Sequence, residues 1–221
     1  MKRILLLILG MSVFFIEISA QLPIDKKASK KTKHLLSNLN TIAGRGFMFG
    51  HQDDQAYGVG WKDENGRSDV LETSGSYPAV HGWDVGSRLS SDKNIDNIHF
   101  SKMKGWIKKA YKRGGVNSFS WHIDNLTTGG NSWDKTSSVS DILPGGIKHK
   151  EFVEQLDLLA QMLKSLKVGF TNIPIVFRPW HEHNGDWFWW GKGNCTKEEY
   201  IALFRFTVDY LRVEKKIHHL L

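Results

Sequence analysis

The sequence predicts an α/β protein with a parallel sheet, and more narrowly the first half of a (β/α)8 TIM barrel with about four βα units. Four short apolar runs each end in His, Asp, Glu or Trp, and helical patterns separate them. Alternating strands and helices are typical of parallel sheets, and polar side chains at successive strand ends are typical of a barrel. A doubly wound sheet is the less favoured alternative, because no Gly-x-Gly-x-x-Gly turn opens a helix.

The first element is a leader rather than part of the fold. Residues 1–20 have the charged, apolar and small-residue order of a signal peptide. A membrane anchor is the alternative, but Glu17 interrupts the apolar stretch before it reaches the ~20 residues that span a bilayer. We therefore expect cleavage near Gln21, a secreted or periplasmic protein, and no membrane contact after cleavage.

Strand and helix patterns then alternate along the chain. The predicted helices are Lys26 to Ile42, Phe100 to Lys112, Glu151 to Leu166 and Lys197 to Val213. The predicted strands are Phe47 to Gly50, Pro78 to Val80, Gly115 to Ser120 and Ile173 to Phe177. Residues 215–221 resemble the approach to a fifth strand. Because such barrels typically need ~250 residues, we expect residues 21–221 to be the N-terminal part of a catalytic domain.

Composition narrows the class of function. The chain has 221 residues and a net charge of +7, with basic residues scattered among acidic ones. This distribution indicates a solvated surface, so nucleic acid is not an expected partner. The nine tryptophans are more than average usage predicts. All but Trp106 fall in loops or at strand ends.

Residues 178–191 carry the most specific signal, because carboxyl, imidazole and indole side chains follow the fourth strand closely. The string Arg178-Pro-Trp-His-Glu182-His-Asn-Gly-Asp-Trp187-Phe-Trp-Trp-Gly191 resembles the acid/base motif of glycoside hydrolase family 26, typified by endo-β-1,4-mannanases. Weaker resemblances in the same order are Phe49-Gly-His51-Gln-Asp, Gly82-Trp83-Asp84, Ser120-Trp121-His122, Thr128-Gly-Gly and Trp133-Asp134.

The resemblance implies retaining hydrolysis of β-1,4-mannosidic bonds in a mannan or a related polysaccharide. Glu182 would be the general acid/base, and we expect burial against rings to keep it protonated. His181 would tune that carboxyl group, and Trp187 would be a platform for a sugar ring. The other tryptophans in loops or at strand ends would lie on the same sugar-binding face. The remaining implied substrate contacts are His122, Trp133 and, with weaker support, Asp84.

The family's nucleophile, a Glu after the seventh strand, has no match. The carboxylates after Glu182 are Asp186, Glu198, Glu199, Asp209 and Glu214, and the last four fall in the predicted helix. We therefore expect little or no hydrolysis by the chain itself, and a non-hydrolytic carbohydrate-binding or inactive fragment is the alternative function. An inverting reaction that uses Asp84 or Asp124 is disfavoured, because the motif resembles a retaining family.

Other chemistries have less support. No His-Glu-x-x-His motif is present, and His181 and His183 would alternate on a strand without a third ligand, so no metal or other cofactor is expected. Cys195 lacks the strand-to-helix elbow of a nucleophile, and as the only cysteine it cannot form an internal disulfide.

Overall fold

The computed structural model describes residues 22–221, so the predicted signal peptide lies outside the described residues. The helices are α1 Lys30–Ala43, α2 Asp69–Ser74, α3 Phe100–Lys112, α4 Val139–Ile142, α5 His149–Ser165 and α6 Lys197–Asp209. The strands are β1 Gly50–Gln52, β2 Tyr57–Gly58, β3 Trp61–Lys62, β4 Val80–Asp84, β5 Val116–Ser120, β6 Lys167–Val168, β7 Thr171–Asn172 and β8 Ile175–Arg178.

A four-stranded parallel sheet organises the chain, with the order β1-β4-β5-β8. Two short antiparallel hairpins, β2-β3 and β6-β7, lie outside it. Helices α3 and α5 connect successive strands of the sheet. The prediction of an α/β protein with a parallel sheet is therefore confirmed.

The chain after α6 pairs with the outer edge of β8. Helix α6 continues into a π-helical turn, Tyr210–Glu214. The Ile175 amide then donates to the His219 carbonyl over 3.0 Å, and the Leu221 amide donates to the Ile175 carbonyl over 2.9 Å. Leu220 thus forms a parallel bridge with Ile175, as expected for an approach to a fifth strand.

The first two predicted strands were placed too early. Parallel pairing joins His51 to His81 and Gln52 to Gly82, so the polar residues expected after these strands lie within them. The apolar run at 47–49 precedes the ladder, and Phe47 and Phe49 are exposed. The pairing partner, not the apolar run, sets where these strands begin.

Most of the tryptophans expected on a sugar face are in the core instead. Five of them have less than 2% exposure: Trp83, Trp121, Trp180, Trp189 and Trp190. The Trp180 ring lies 5.6 Å from that of Trp121 and 5.4 Å from that of Trp189. Segment 179–191 folds back over the sheet, and it therefore adds indoles to the core as well as to the surface.

Among residues 22–221, no helix has both the length and the apolar character needed to cross a membrane.

Candidate active site

Three polar side chains from neighbouring strands meet at the carboxyl edge of the sheet. Asp84 is the last residue of β4, His122 follows β5 by two positions, and His181 follows β8 by three. Parallel strands end at one edge of the sheet, so these side chains come together although 97 positions separate the first from the last. The structure thus brings these three residues, which the sequence placed after separate strands, to one edge of the sheet.

Asp84 anchors this edge. Its buried carboxylate accepts hydrogen bonds from the Ser120 hydroxyl (2.6 Å), the Gly86 amide (2.7 Å) and Nδ1 of His122 (2.6 Å). Burial opposes ionisation, but these donors outweigh it and hold the pKa of Asp84 below its usual value. The carboxylate therefore fixes the His122 ring with its Nδ1 protonated.

His122 in turn contacts His181. Their Nε2 atoms are 3.2 Å apart, and the rings meet edge to face. Burial, together with the charges of His122 and Arg178, lowers the pKa of His181, which favours its neutral form. When both rings are neutral, Nε2 of His122 accepts and Nε2 of His181 donates, so the chain from Asp84 to His181 has a defined direction.

A wall of aromatic rings lines the row on its solvent side. The Trp133 ring stacks on His122, with centroids 5.2 Å apart and planes 10° apart. Phe188 lies 5.1 Å from His122 and 6.3 Å from Trp187. Trp133 and Trp187 keep 49% and 41% of their surface exposed, so each offers a face on which a sugar ring can pack.

Glu182 extends from the turn after β8 and is hydrogen-bonded to this wall. Nε1 of Trp187 donates to its Oε2 over 3.0 Å. The turn needs positive φ at Trp180 (53°) and Glu182 (55°), and a Cβ at Gly185 would overlap the Trp187 ring. The prediction of a buried Glu182 is wrong: the side chain is exposed, because the turn projects it beyond the strand end.

The prediction that His181 and His183 alternate on a strand is also wrong, since both lie in the turn after Arg178. The turn sends His183 to stack on Tyr200, with centroids 4.2 Å apart, while His181 faces His122. Within residues 22–221, no three His, Cys, Asp or Glu side chains are arranged to hold a metal ion.

The other carboxylates that the sequence analysis weighed are either paired or exposed on α6 and the turn after it. Asp124 lies 3.4 Å from the guanidinium of Arg88. Glu199 forms a capping box with Thr196 at the start of α6. Glu198 and Asp209 are exposed on that helix, and Glu214 is exposed on the turn after it. Asp84 is enclosed by its donors, which leaves it no open side for the attacking water of an inverting reaction.

Sequence reasoning missed four residues of this edge: Asp53, Asp96, Ser120 and Phe188. Ser120 and Phe188 stood inside the quoted motifs, beside the residues that were chosen. Asp53 followed the first predicted strand in a polar cluster, which was a usable signal. Asp96 lies in a loop without a motif, and only the fold brings it near Asp84.

Removing the Asp84 carboxylate should lower the free energy of unfolding by an amount that depends on pH. The Asp84 pKa is depressed on folding, so its stabilisation is present above the unfolded value of about 3.9 and is lost as pH falls through the folded pKa. We expect Asp84→Asn to lower the free energy of unfolding by about 2 kcal/mol at pH 7, and the deficit to shrink below pH 4. Urea unfolding from pH 3 to pH 7 measures this, with exposed Asp92→Asn as the control. A deficit independent of pH would contradict it.

Comparison with known families agrees with this geometry. The model of "Glycosyl hydrolase family 26" matches residues 24–221. A mannan endo-1,4-beta-mannosidase from Bifidobacterium adolescentis is 36% identical over 206 residues, covering 89% of this chain and 20% of that protein. A mannan endo-1,4-beta-mannosidase from Bacillus subtilis is 26% identical over 217 residues, covering 92% of this chain and 56% of that protein. The chain thus spans well under two thirds of each relative.

Solved structures give the same result. A GH26 beta-mannanase from Bacteroides ovatus is 43% identical and superposes with a TM-score of 0.84, covering 87% of this chain and 57% of that one. A modular endo-beta-1,4-mannanase from Cellulomonas fimi is 37% identical, also with a TM-score of 0.84, and covers 90% of this chain and 46% of that one.

Proposed function

Because the chain belongs to glycosyl hydrolase family 26, we propose that it binds β-1,4-mannan at the Trp133–Trp187 wall and supplies the acid/base of a retaining mannanase. We also propose that the protein is secreted or periplasmic. The single observation that carries the proposal is the contact between Glu182 and the indole N–H of Trp187, beside the row of Asp84, His122 and His181.

Glu182 has the geometry that a general acid needs. Within the described residues, the Glu182 carboxyl group has one hydrogen-bond partner, the Trp187 indole, which donates to Oε2. That bond orients the carboxyl group, and its exposed side can reach a bound glycosidic oxygen. In a retaining reaction the acid first protonates the leaving oxygen and then takes a proton from the attacking water.

The imidazole of His181 beside Glu182 supports this role. His181 precedes Glu182, and the lowered pKa of its imidazole keeps a full positive charge away from the carboxyl group. A positive neighbour would favour the carboxylate and so weaken the acid. We assign His181 to tuning and His122 to substrate contact, with Asp84 as their anchor.

The proposed architecture is half of an eight-stranded barrel. Its support is the all-parallel order of the sheet, the pairing of Leu220 with Ile175, and the superposition on 57% of the Bacteroides ovatus mannanase. An apolar groove of about 400 Å³ beside β8 is lined by Phe177, Leu211 and Leu220, among others. Further elements of a barrel would cover this groove.

A second candidate function is carbohydrate binding without hydrolysis. The observation that favours it is that, across residues 22–221, each other carboxylate at a strand end of the sheet is buried or paired: Asp53 and Asp84 are buried, and Asp124 pairs with Arg88. The two functions share the aromatic wall and differ in turnover. Release of reducing sugar from mannan separates them.

Sugar binding by the wall is testable on the 221-residue chain. We expect Trp187→Ala to weaken mannohexaose binding roughly tenfold, about 1.4 kcal/mol, because the sugar loses one stacking face and Glu182 loses its orienting donor. Isothermal titration calorimetry measures the affinity. The matched control is Phe170→Ala, an exposed aromatic in the β6-β7 hairpin, at the opposite end of β8. Equal affinity of wild type and Trp187→Ala would refute the proposed platform.

A further inference from the structure

The two exposed indoles of the aromatic wall are carried by two connecting loops. Residues 121–138, the Trp133 loop, connect β5 to α4, and residues 179–196, the Trp187 loop, connect β8 to α6. Loops of this length without a helix or strand of their own are uncommon and are often functional. The stacking of one half-exposed ring cannot offset the conformational entropy that ordering such a loop costs. Other contacts within each loop must therefore hold the indoles in place.

Asn125 spans the Trp133 loop from a fully buried position. Its Nδ2 atom donates to the carbonyl of Asp134 over 3.3 Å and to that of Thr136 over 2.9 Å. Asp134 directly follows Trp133 in the chain. The amide group therefore fixes the backbone that carries the indole, whose ring stacks on His122 with the planes 10° apart.

The acceptor side and the main chain of Asn125 close the same loop. Its Oδ1 atom accepts from the Thr127 amide over 3.1 Å and from the Ser138 hydroxyl over 2.7 Å. The Asn125 amide donates to the Gly130 carbonyl over 2.9 Å, and the Gly129 amide donates to the Asn125 carbonyl over 2.8 Å. Each polar atom of Asn125 thus forms a hydrogen bond within the Trp133 loop, and none of the roles assigned above uses this residue.

Asn194 makes the same kind of contact in the Trp187 loop. Its Nδ2 atom donates to the carbonyl of Asp186 over 3.0 Å and to that of Phe188 over 2.7 Å. These two residues flank Trp187, so the two protons of one amide group hold the backbone on both sides of the indole. The indole in turn donates to Glu182, and its orientation therefore also sets the direction of the Glu182 carboxyl group.

An exposed ion pair between the two loops is a weaker restraint. Lys135 Nζ lies 3.1 Å from Asp186 Oδ2, and the two side chains are 54% and 73% exposed. Exposed pairs are screened by salt and contribute little to stability. The two asparagine amides are neutral and at least partly buried, so salt does not screen their hydrogen bonds.

We propose that Asn125 and Asn194 are the positioning residues of the two indole platforms: each side-chain amide donates to backbone carbonyls beside one exposed tryptophan and so orients its ring. Asparagine suits this role because it is neutral and carries two donors and an acceptor, whereas an ionised aspartate has no donor. The use of the rings as sugar platforms rests on the proposed function. The link between each asparagine and its tryptophan rests on the hydrogen bonds alone.

Serine at either position tests the amide group without adding a charge. In Asn125→Ser the hydroxyl can still accept from the Thr127 amide two positions on, but it is too short to reach the two carbonyls. Asn194→Ser likewise loses both contacts. The matched control is Asn40→Ser, at an exposed position of α1. Asn125→Ser can fail to fold because the site is buried, and Ser138→Ala, which removes one donor to Oδ1, then replaces it.

NMR of the 221-residue chain measures the orientation of the Trp133 ring. While this ring stacks on His122, its ring current shifts the His122 ring protons upfield. Asn125→Ser should therefore move these signals toward their positions in Trp133→Ala, and Ser138→Ala should move them in the same direction by a smaller amount.

The indole N–H signal of Trp187 measures the orientation of the second ring. Asn194→Ser should move this signal toward its position in Glu182→Ala, in which the acceptor of the indole is missing. Asn40→Ser should leave this signal and those of the His122 ring at their wild-type positions.

Mannohexaose titrations show whether each asparagine acts through its tryptophan. Asn194→Ser should weaken binding roughly three- to tenfold, and it should cause no further loss when Trp187 is already alanine. Asn125→Ser should behave in the same way when it is combined with Trp133→Ala. In a crossed pair, such as Asn125→Ser with Trp187→Ala, the two losses should multiply.

Losses that multiply in the matched pairs would overturn the positioning role, because they would mean that the asparagines act on binding by another route. Wild-type NMR signals of His122 in Asn125→Ser, or in Ser138→Ala where that variant replaces it, would also overturn the role of Asn125. A wild-type Trp187 signal in Asn194→Ser would do so for Asn194. If wild type itself does not bind mannohexaose, the proposed function fails, while the NMR signals still decide on both asparagines.

Discussion

Glu182→Gln is expected to lower kcat/KM for mannan by roughly 10²- to 10⁴-fold, the range that general acid catalysis contributes. The amide has nearly the same shape, and its oxygen can still accept from the Trp187 indole, but it cannot protonate a leaving oxygen. Mannohexaose affinity should therefore stay within about threefold of wild type, since the change removes an interaction of the transition state. Reducing-sugar release by the full-length gene product measures the rate.

The matched control for this variant is Glu198→Gln. Glu198 is exposed in the first turn of α6, two positions beyond the helix cap, so its charge should not affect turnover. Equal rates for wild type and Glu182→Gln would remove Glu182 from the mechanism. Equal losses for both variants would point to a nonspecific effect of removing negative charge.

The largest expected loss of stability is for Trp180→Ala, at about 3–5 kcal/mol. Trp180 has no exposed surface, and its ring contacts those of Trp121, Phe152 and Trp190. Its indole N–H also donates to the buried Thr207 hydroxyl over 3.0 Å. The substitution leaves a cavity between the sheet and α6, and it leaves a polar group without its donor.

Trp187→Ala, seven positions further along the same segment, is the natural comparison for Trp180→Ala, since Trp187 is partly exposed and its loss should lower the free energy of unfolding by under about 1 kcal/mol. Urea unfolding at pH 7 gives both values. Similar losses would mean that segment 179–191 is not divided into a core face and a sugar face. Thr207→Val, which nearly keeps the shape of the side chain and removes its hydroxyl, measures the contribution of that hydroxyl and of its bond with Trp180.

The sequence predicts an element well when the interactions that stabilise it lie within that element. Helix α3 was predicted at both ends, because its apolar spacing and the glycine that follows it are sequence features; Gly114 has a φ of 89°. The start of β1 was not predicted, because the bounds of this three-residue strand are set by its pairing with β4. Helix α6 was predicted too long by one turn, where Tyr210–Glu214 becomes π-helical.

The candidate site shows the same difference between features set by a local string of residues and features set by distant contacts. The motif predicted Glu182, Trp187, His181 and His122, because each stands in a characteristic string. It did not predict which indoles face inward: Trp189 and Trp190 pack in the core, where their N–H groups donate to the carbonyls of Ile123 and His181. Those acceptors come from another segment or from across the turn, and the exposure of Glu182 likewise depends on the shape of the turn, so neither could be predicted from the sequence.

The central claim is that Glu182 acts as an acid toward a mannoside. The most direct test compares Glu182→Ala with wild type in the full-length gene product on two substrates, mannan and a dinitrophenyl β-mannobioside, whose leaving group needs no proton. For an acid, the rate on mannan should fall at least 10²-fold, while the first-turnover burst of dinitrophenol should fall less than about tenfold. An equal fall on both substrates would contradict the claim and assign Glu182 to binding or structure alone.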